Sequence, residues 1–204
     1  MFADRTDAGT RLADALEARG VAADVVLAIP RGGLPLGRVV ADRLGAPLDV
    51  VVASKIGAPN NPEYAIGAVA EDGTVWRNEE AITRLRIGED RLAAGRSREQ
   101  AAAVEKAEDY RTGGPPDLGG KRVVVVDDGV ATGATMRACL GLVREGGPAS
   151  VVVAVPVGPP ETLDELGSLA DEVVAVERPE RFRAVGAHYR TFDQVTDEEA
   201  KSYL

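Results

Sequence analysis

Cysteine and histidine are almost absent from this sequence. The single cysteine, Cys139, excludes an internal disulfide and any metal site built from several thiolates. The single histidine, His188, excludes a histidine-based catalytic triad and a histidine-rich zinc centre. Any catalytic chemistry in this chain therefore proceeds without an imidazole relay.

Positive charge and long apolar runs are also scarce. The chain has 33 acidic and 24 basic residues, a net charge of −9, which argues against nucleic acid or an anionic membrane as a partner. No apolar run approaches the ~20 residues that a membrane-spanning helix needs. The first residues are charged where a secretory signal would be apolar. We expect a soluble, cytoplasmic protein.

Short β-branched runs alternate with helical segments, which is the pattern of a parallel sheet with crossover helices. We expect an α/β fold in one domain, residues 1–204, with an open, mainly parallel five-stranded sheet and flanking helices. A β-hairpin is predicted around Asp72-Gly73, between residues 65–70 and 74–76. The predicted strands of the main sheet are residues 25–29, 48–53, 123–126, 151–155 and 172–176.

Three segments lie outside this regular pattern. Residues 54–64 are rich in proline and asparagine and are predicted to form a loop. Residues 77–116 are polar, and we interpret them as an inserted helical arm, within which a capping-box pattern at Ser97 predicts the start of a helix. Residues 177–204 form a C-terminal tail on the acceptor side, where a second capping box, at Thr196, predicts a short helix.

The strongest functional signal is the segment 123–135, VVVVDDGVATGAT. A buried strand ends in Asp127 and Asp128, and a loop of small residues then opens a helix. Ligands of open α/β sheets bind beyond the carboxyl ends of the strands. Gly129 and Gly133 let the backbone come close to a ligand, and the free amides and helix dipole favour a phosphate. The two carboxylates suit the vicinal hydroxyls of a ribose and would stabilise an oxocarbenium-like charge.

This segment resembles the motif with which type I phosphoribosyltransferases bind 5-phosphoribosyl-1-pyrophosphate (PRPP). The likeness extends over nearly the whole chain, to the bacterial and archaeal branch of predicted phosphoribosyltransferases. It implies catalytic roles for Asp127 and Asp128. Ala134 departs mildly from the pattern, since many members carry a hydroxyl or another small residue there. The residues that the resemblance assigns to the 5-phosphate are Ala131, Thr132, Gly133, Ala134 and Thr135.

A second strand–turn–helix pattern covers residues 29–37. It lacks the lysine and hydroxyl residue of a standard P-loop. In the resembling family this position binds pyrophosphate, and we expect Arg31, Gly32 and Gly33 to do so, since a guanidinium can bind phosphate oxygens in a bidentate way. Lys55 is expected to be a catalytic residue that neutralises pyrophosphate, and the loop around it to act as a lid. The alternative for residues 29–37 is a plain glycine turn with a surface arginine. The alternative for the loop around Lys55 is a rigid connection into the hairpin.

The resemblance implies transfer of the phosphoribosyl group from PRPP to a nitrogenous base, with inversion at C1 and release of pyrophosphate. It also implies a homodimer. Mg²⁺ is expected as cofactor, held mainly by PRPP, with Asp127 or Asp128 as additional candidate ligands.

The acceptor is expected between residues 156–160 and 178–192, where Phe182, Tyr189 and Phe192 offer flat walls. The alternative function is a regulatory protein that senses PRPP or nucleotide without turnover. A dinucleotide-dependent dehydrogenase is excluded because no G-x-G-x-x-G occurs early in the chain.

Overall fold

The computed structural model describes residues 1–111 and 113–204, apart from the side chain of Glu63. These residues form seven helices and eight strands, with one 3-10 turn at Val185–His188. The helices are α1 (Arg5–Ala18), α2 (Gly33–Leu44), α3 (Glu79–Leu85), α4 (Glu89–Tyr110), α5 (Ala134–Glu145), α6 (Pro160–Leu166) and α7 (Asp197–Ser202). The strands are β1 (Val25–Ala28), β2 (Leu48–Val50), β3 (Ala53–Ala58), β4 (Asn61–Ala70), β5 (Val75–Arg77), β6 (Arg122–Val126), β7 (Ser150–Val157) and β8 (Glu172–Glu177).

The main sheet is parallel, in the order β2-β1-β6-β7-β8, which confirms the predicted five-stranded α/β fold. The side chains of β6 alternate between its two faces. Val123 and Val125 pack with α5 and α6 in one core, and Val124 and Val126 pack with α1 and α2 in the other. Burial on both faces explains the unbroken run of valines. The carboxyl end of β6 is thereby fixed at the middle of the sheet.

A separate antiparallel sheet, β3-β4-β5, lies beside the main one. The predicted hairpin at Asp72-Gly73 is confirmed, with Val69 opposite Val75. The predicted loop at 54–64 is wrong, because most of it forms β3 and the start of β4. The ladder is irregular around Gly57, where a Cβ atom would lie 2.4 Å from the carbonyl oxygen of Pro62. This glycine lets β3 and β4 approach each other, although the composition of the segment predicts a loop.

Helix α4 packs on the rest of the protein in both halves, and Leu92 of its first half is buried with Ile56 and Ile66 of the antiparallel sheet. Ala103, Ala107 and Tyr110 are buried in one cluster with residues of β1, α2 and β2. The prediction that a helix begins at Ser97 is wrong, because α4 begins eight residues earlier, at Glu89. Packing along this face keeps α4 helical both before and after the capping pattern at Ser97. Residues near its C-terminal end are thereby brought close to the main sheet.

The C-terminal tail returns to the start of the chain. Phe2 forms a parallel bridge with Tyr189, and its amide donates to the carbonyl of His188 at 2.8 Å. The predicted cap at Thr196 is confirmed, since its side chain accepts a hydrogen bond from the amide of Glu199. Of the helices that the structure describes, none is long and apolar enough to cross a membrane.

Candidate functional site

The two predicted loops lie side by side because they follow neighbouring parallel strands. Arg31 comes after β1, and Asp127 and Asp128 come after β6, its partner in the sheet. The contact between the loops is very close. A Cβ atom on Gly32 would lie 2.0 Å from Oδ2 of Asp128, so only a glycine allows this carboxylate to occupy its position.

Asp128 is held by residues from both ends of the chain. Nε and Nη2 of Arg5 each lie 2.9 Å from its Oδ2. Arg5 itself is fixed by a bond from Nη1 to the carbonyl of Asp193, at 2.7 Å, and by the ring of Phe192, whose centroid is 3.9 Å from the guanidinium. The hydroxyl of Tyr189 donates to the Asp128 carbonyl at 2.6 Å. The carboxylate is therefore rigidly oriented.

Asp127 and Asp128 differ in their electrostatic surroundings. Burial raises the pKa of Asp127 well above its usual range, and the charge of Asp128 raises it further. Burial also raises the pKa of Asp128, but the guanidinium of Arg5 opposes this shift. Oδ1 of Asp127 accepts the amide hydrogen of Asp128 at 2.8 Å. The pair therefore takes up a proton readily at Asp127, while Asp128 is the better stabilised anion.

The loop after the two acids has the geometry of an anion site. Gly133 has φ +71° and precedes the first residue of α5. Thr162 steadies the loop, since its hydroxyl donates to the carbonyl of Ala131 at 2.9 Å. Among the described residues, the backbone amides of residues 131–135 have no acceptor. Unpaired amides at a helix N-terminus favour a phosphate group. Ala131 and Thr132 are exposed, and Thr135 is partly exposed, so the loop is open to a ligand.

Around Arg31 lie residues that the sequence analysis did not predict as part of the site. Its Nη1 lies 3.3 Å from Oδ2 of Asp197, whose Oδ1 accepts a hydrogen bond from the Tyr110 hydroxyl at 2.6 Å. Nζ of Lys106 donates to the carbonyl of Pro30 at 3.0 Å. Arg5, Lys106 and Tyr110 carry no local motif, so no sequence signal identified them.

A cavity of about 320 Å³ lies against this arrangement. Phe192 lines it, whereas Tyr189 is buried and Phe182 stacks on His188 with ring centroids 5.4 Å apart. Residues 156–160 do not line the cavity. Lys55 does not line it either, and lies in β3 opposite Ala68. The full lining is Arg5, Arg31, Gly32, Asp128, Phe192, Asp193, Gln194 and Val195.

A metal ion at this site would depend mostly on its ligand. Within residues 1–111 and 113–204, no three acidic, histidine or cysteine side chains are grouped to hold a metal. The local donors are the carboxylates of Asp127 and Asp128, and Oδ2 of Asp128 is engaged by Arg5. Two carboxylates beside a phosphate loop fit Mg²⁺, which keeps several waters and binds through a few carboxylate and phosphate oxygens.

Comparison with known proteins gives consistent matches. The family model described as "Phosphoribosyl transferase domain" matches residues 6–189. Proteins of two strains of Mycobacterium tuberculosis, provisionally assigned as phosphoribosyl transferases, are each 40% identical over 205 residues, which is 100% of this chain. The alignment covers 46% of those relatives, so the chain spans about half the length of the curated proteins it matches. A crystal structure of a protein from Thermus thermophilus is 46% identical, with a TM-score of 0.82, over 99% of this chain and 96% of that one.

Proposed function

The chain belongs to the phosphoribosyl transferase family, and on that basis we propose that it transfers the 5-phosphoribosyl group of PRPP to a nitrogenous base and releases pyrophosphate. The observation that carries the proposal is the junction of two loops at one edge of the sheet. One loop offers unpaired amides beside two carboxylates, and the other offers Arg31. The amides are complementary to a phosphate, the carboxylates to the hydroxyls of a ribose, and Arg31 to a pyrophosphate, which together are the parts of PRPP.

PRPP is oriented by the two loops in this proposal. The 5-phosphate binds the amides of residues 131–135, and the ribose hydroxyls face Asp127 and Asp128. The pyrophosphate lies against Arg31, Gly32 and Gly33, and Lys55 is assigned to the same group. Gly33 lets the Arg31 loop pack against the end of β6, because a Cβ there would lie 2.7 Å from the carbonyl oxygen of Val126.

Catalysis needs no protein nucleophile. The base attacks C1 from the face opposite the pyrophosphate, and the positive charge that develops on the ribose is stabilised by the carboxylates beneath it. Asp128 is suited to this role because Arg5 and Tyr189 hold it in place. Holding the base and PRPP in the reactive orientation supplies the remaining acceleration.

Mg²⁺ is part of the proposal as the counter-ion of the pyrophosphate. When bound, it neutralises charge on the leaving group. Asp127 is the chain's candidate ligand, since Asp128 is already bound to Arg5. A bound cation beside Asp127 would also lower its raised pKa and favour the ionised form.

The acceptor is proposed to be a planar base that enters beside the tail. Phe192 supports this assignment, because it is the aromatic residue that lines the cavity. The proposed assembly is a homodimer, which light scattering at micromolar concentration tests through the molar mass.

The decisive experiment measures pyrophosphate release from PRPP with Mg²⁺ and a panel of purine and pyrimidine bases. Gly133→Val is the matched loss-of-function variant, because its side chain would crowd Thr162, whose Cγ2 lies 2.9 Å from the position of a Cβ. Gly20→Val is the control, since Gly20 has a similar φ of +69° and open space around it. Base-dependent release in the wild type and in Gly20→Val, and none in Gly133→Val, is the expected result. If PRPP binds without release for any base, the sensor function replaces the transferase function.

A further inference from the structure

One carboxylate of the tail is bound by groups from two distant elements. Both oxygens of Asp197 are engaged, one by Nη1 of Arg31 and the other by the hydroxyl of Tyr110. The side chain of Asp197 is still 55% exposed, so it lies at the surface of this contact and not within a core. A guanidinium and a hydroxyl directed at one carboxylate form an anion site.

Lys106 brings a second positive charge to the same place. It precedes Tyr110 by four residues on α4, so both side chains project from one face of the helix. Its Nζ donates to the carbonyl of Pro30, next to Arg31. Burial lowers the pKa of Lys106, and the neighbouring Arg31 lowers it further, while Asp197 and Asp127 act in the opposite direction. The ammonium therefore lies within electrostatic reach of both the arginine and the two acids.

These groups match the chemistry of a leaving pyrophosphate. Two cations gathered at one place repel each other unless an anion lies between them. Lys106 and Tyr110 are contributed by α4, outside both loops assigned from the sequence.

We infer that Arg31, Lys106 and Tyr110 form one anion site that binds the pyrophosphate end of PRPP, and that Asp197 occupies this site while no ligand is bound. The inference rests on the proposed function and extends it to residues of α4 and α7. The carboxylate of Asp197 balances the cations in the free protein. Bound pyrophosphate repels it, so the exposed side chain of Asp197 rotates away while α7 stays packed through Ala200.

Asp197 then competes with the ligand, and the effect of removing its charge is opposite in sign to that of removing Lys106. Asp197→Asn keeps an oxygen that accepts from Tyr110 and removes only the competing charge, so the affinity for inorganic pyrophosphate rises by about tenfold. Lys106→Met lowers this affinity by about tenfold or more, and Tyr110→Phe lowers it several-fold. Lys121→Met, just before β6, changes the net charge by the same amount as Lys106→Met and leaves the affinity within about twofold.

The experiment is isothermal titration of each full-length variant with inorganic pyrophosphate and Mg²⁺, after circular dichroism has confirmed the fold. Opposite shifts for Asp197→Asn and Lys106→Met support the inference. Binding by Asp197→Asn alone, with none by the wild type, supports it too. Equal affinities in all variants, or no binding in any, overturn it. Base-dependent pyrophosphate release from PRPP, measured separately, decides the proposed function, so failure of the anion site and failure of the transferase proposal are distinguished.

Discussion

Gly32→Ala is the most direct test of the contact between the two loops. The added Cβ would lie 2.0 Å from Oδ2 and 2.6 Å from Cγ of Asp128. An ordinary contact begins at 3.4 Å, so the carboxylate must retreat by about 1.4 Å. A shift of that size breaks the 2.9 Å bonds to Arg5 unless Arg5 follows. Arg5 cannot follow freely, because Asp193 and Phe192 hold its other side.

The expected cost of Gly32→Ala is that of an overpacked site, about 1–3 kcal/mol in the free energy of unfolding. For a chain of this length, that corresponds to a fall in melting temperature of about 2–12 °C. Turnover from PRPP should fall by about 10²-fold or more, since the displaced carboxylate no longer faces the ribose.

The measurement is thermal unfolding together with the pyrophosphate-release assay. Gly88→Ala is the matched control, because Gly88 has extended backbone and no heavy atom lies within 4 Å of the place where its Cβ would be. Its stability should change by about 0.5 kcal/mol or less. The steric argument is refuted if Gly32→Ala melts with Gly88→Ala and retains wild-type turnover.

Three further outcomes are expected. Because the folded-state pKa of Asp127 is raised, the native chain loses stability as pH rises from the ordinary carboxyl value toward the folded one. The melting temperature of Asp127→Asn in chelator should therefore exceed that of the wild type by a margin that grows as the pH rises above the ordinary carboxyl pKa of about 4. A margin that stays constant with pH contradicts this. Arg111→Met should cost about 3–5 kcal/mol in denaturant unfolding, because it leaves Glu71 and Asp49 partly buried without a cation. Arg122→Met removes an exposed ion pair with Asp24 and should change the stability far less. Turnover should vanish in chelator and return with Mg²⁺; full activity in chelator argues against a metal-assisted leaving group.

The main sheet was predictable because its central strands, β1, β6 and β7, are buried on both faces. A run such as Val123–Val126 has no other common explanation, and the hairpin at Asp72-Gly73 carries its own turn signal. The antiparallel strand β3 was missed because proline and asparagine favour a loop, and only Gly57 reveals the close strand contact. The helix start predicted at Ser97 is wrong because Leu92, five residues earlier, packs against the antiparallel sheet and keeps the residues before the capping pattern helical.

The candidate site likewise has a part that the sequence predicts and a part that it does not. Asp127, Asp128 and the proposed phosphate loop are contiguous in the chain, so their order alone predicted them as candidates. Arg5 meets Asp128 across 123 residues, and Arg31 meets Asp197 across 166. Such pairings depend on the tertiary fold, and no spacing rule in the sequence indicates them.

The contacts that Arg5 and Tyr189 make with Asp128 have a consequence for protein engineering. Its partners come from the first helix and from the tail, which the Phe2–Tyr189 bridge holds together. The diacid segment is therefore not a portable module. Grafted onto another sheet, it would bring its amides and carboxylates but not the arginine that orients one of the acids. A transplanted copy needs another cation at the same edge of the sheet. A circular permutant with new ends inside α1 or near Tyr189 would lose the contacts that orient the Asp128 carboxylate, while the valine core of the main sheet would stay intact.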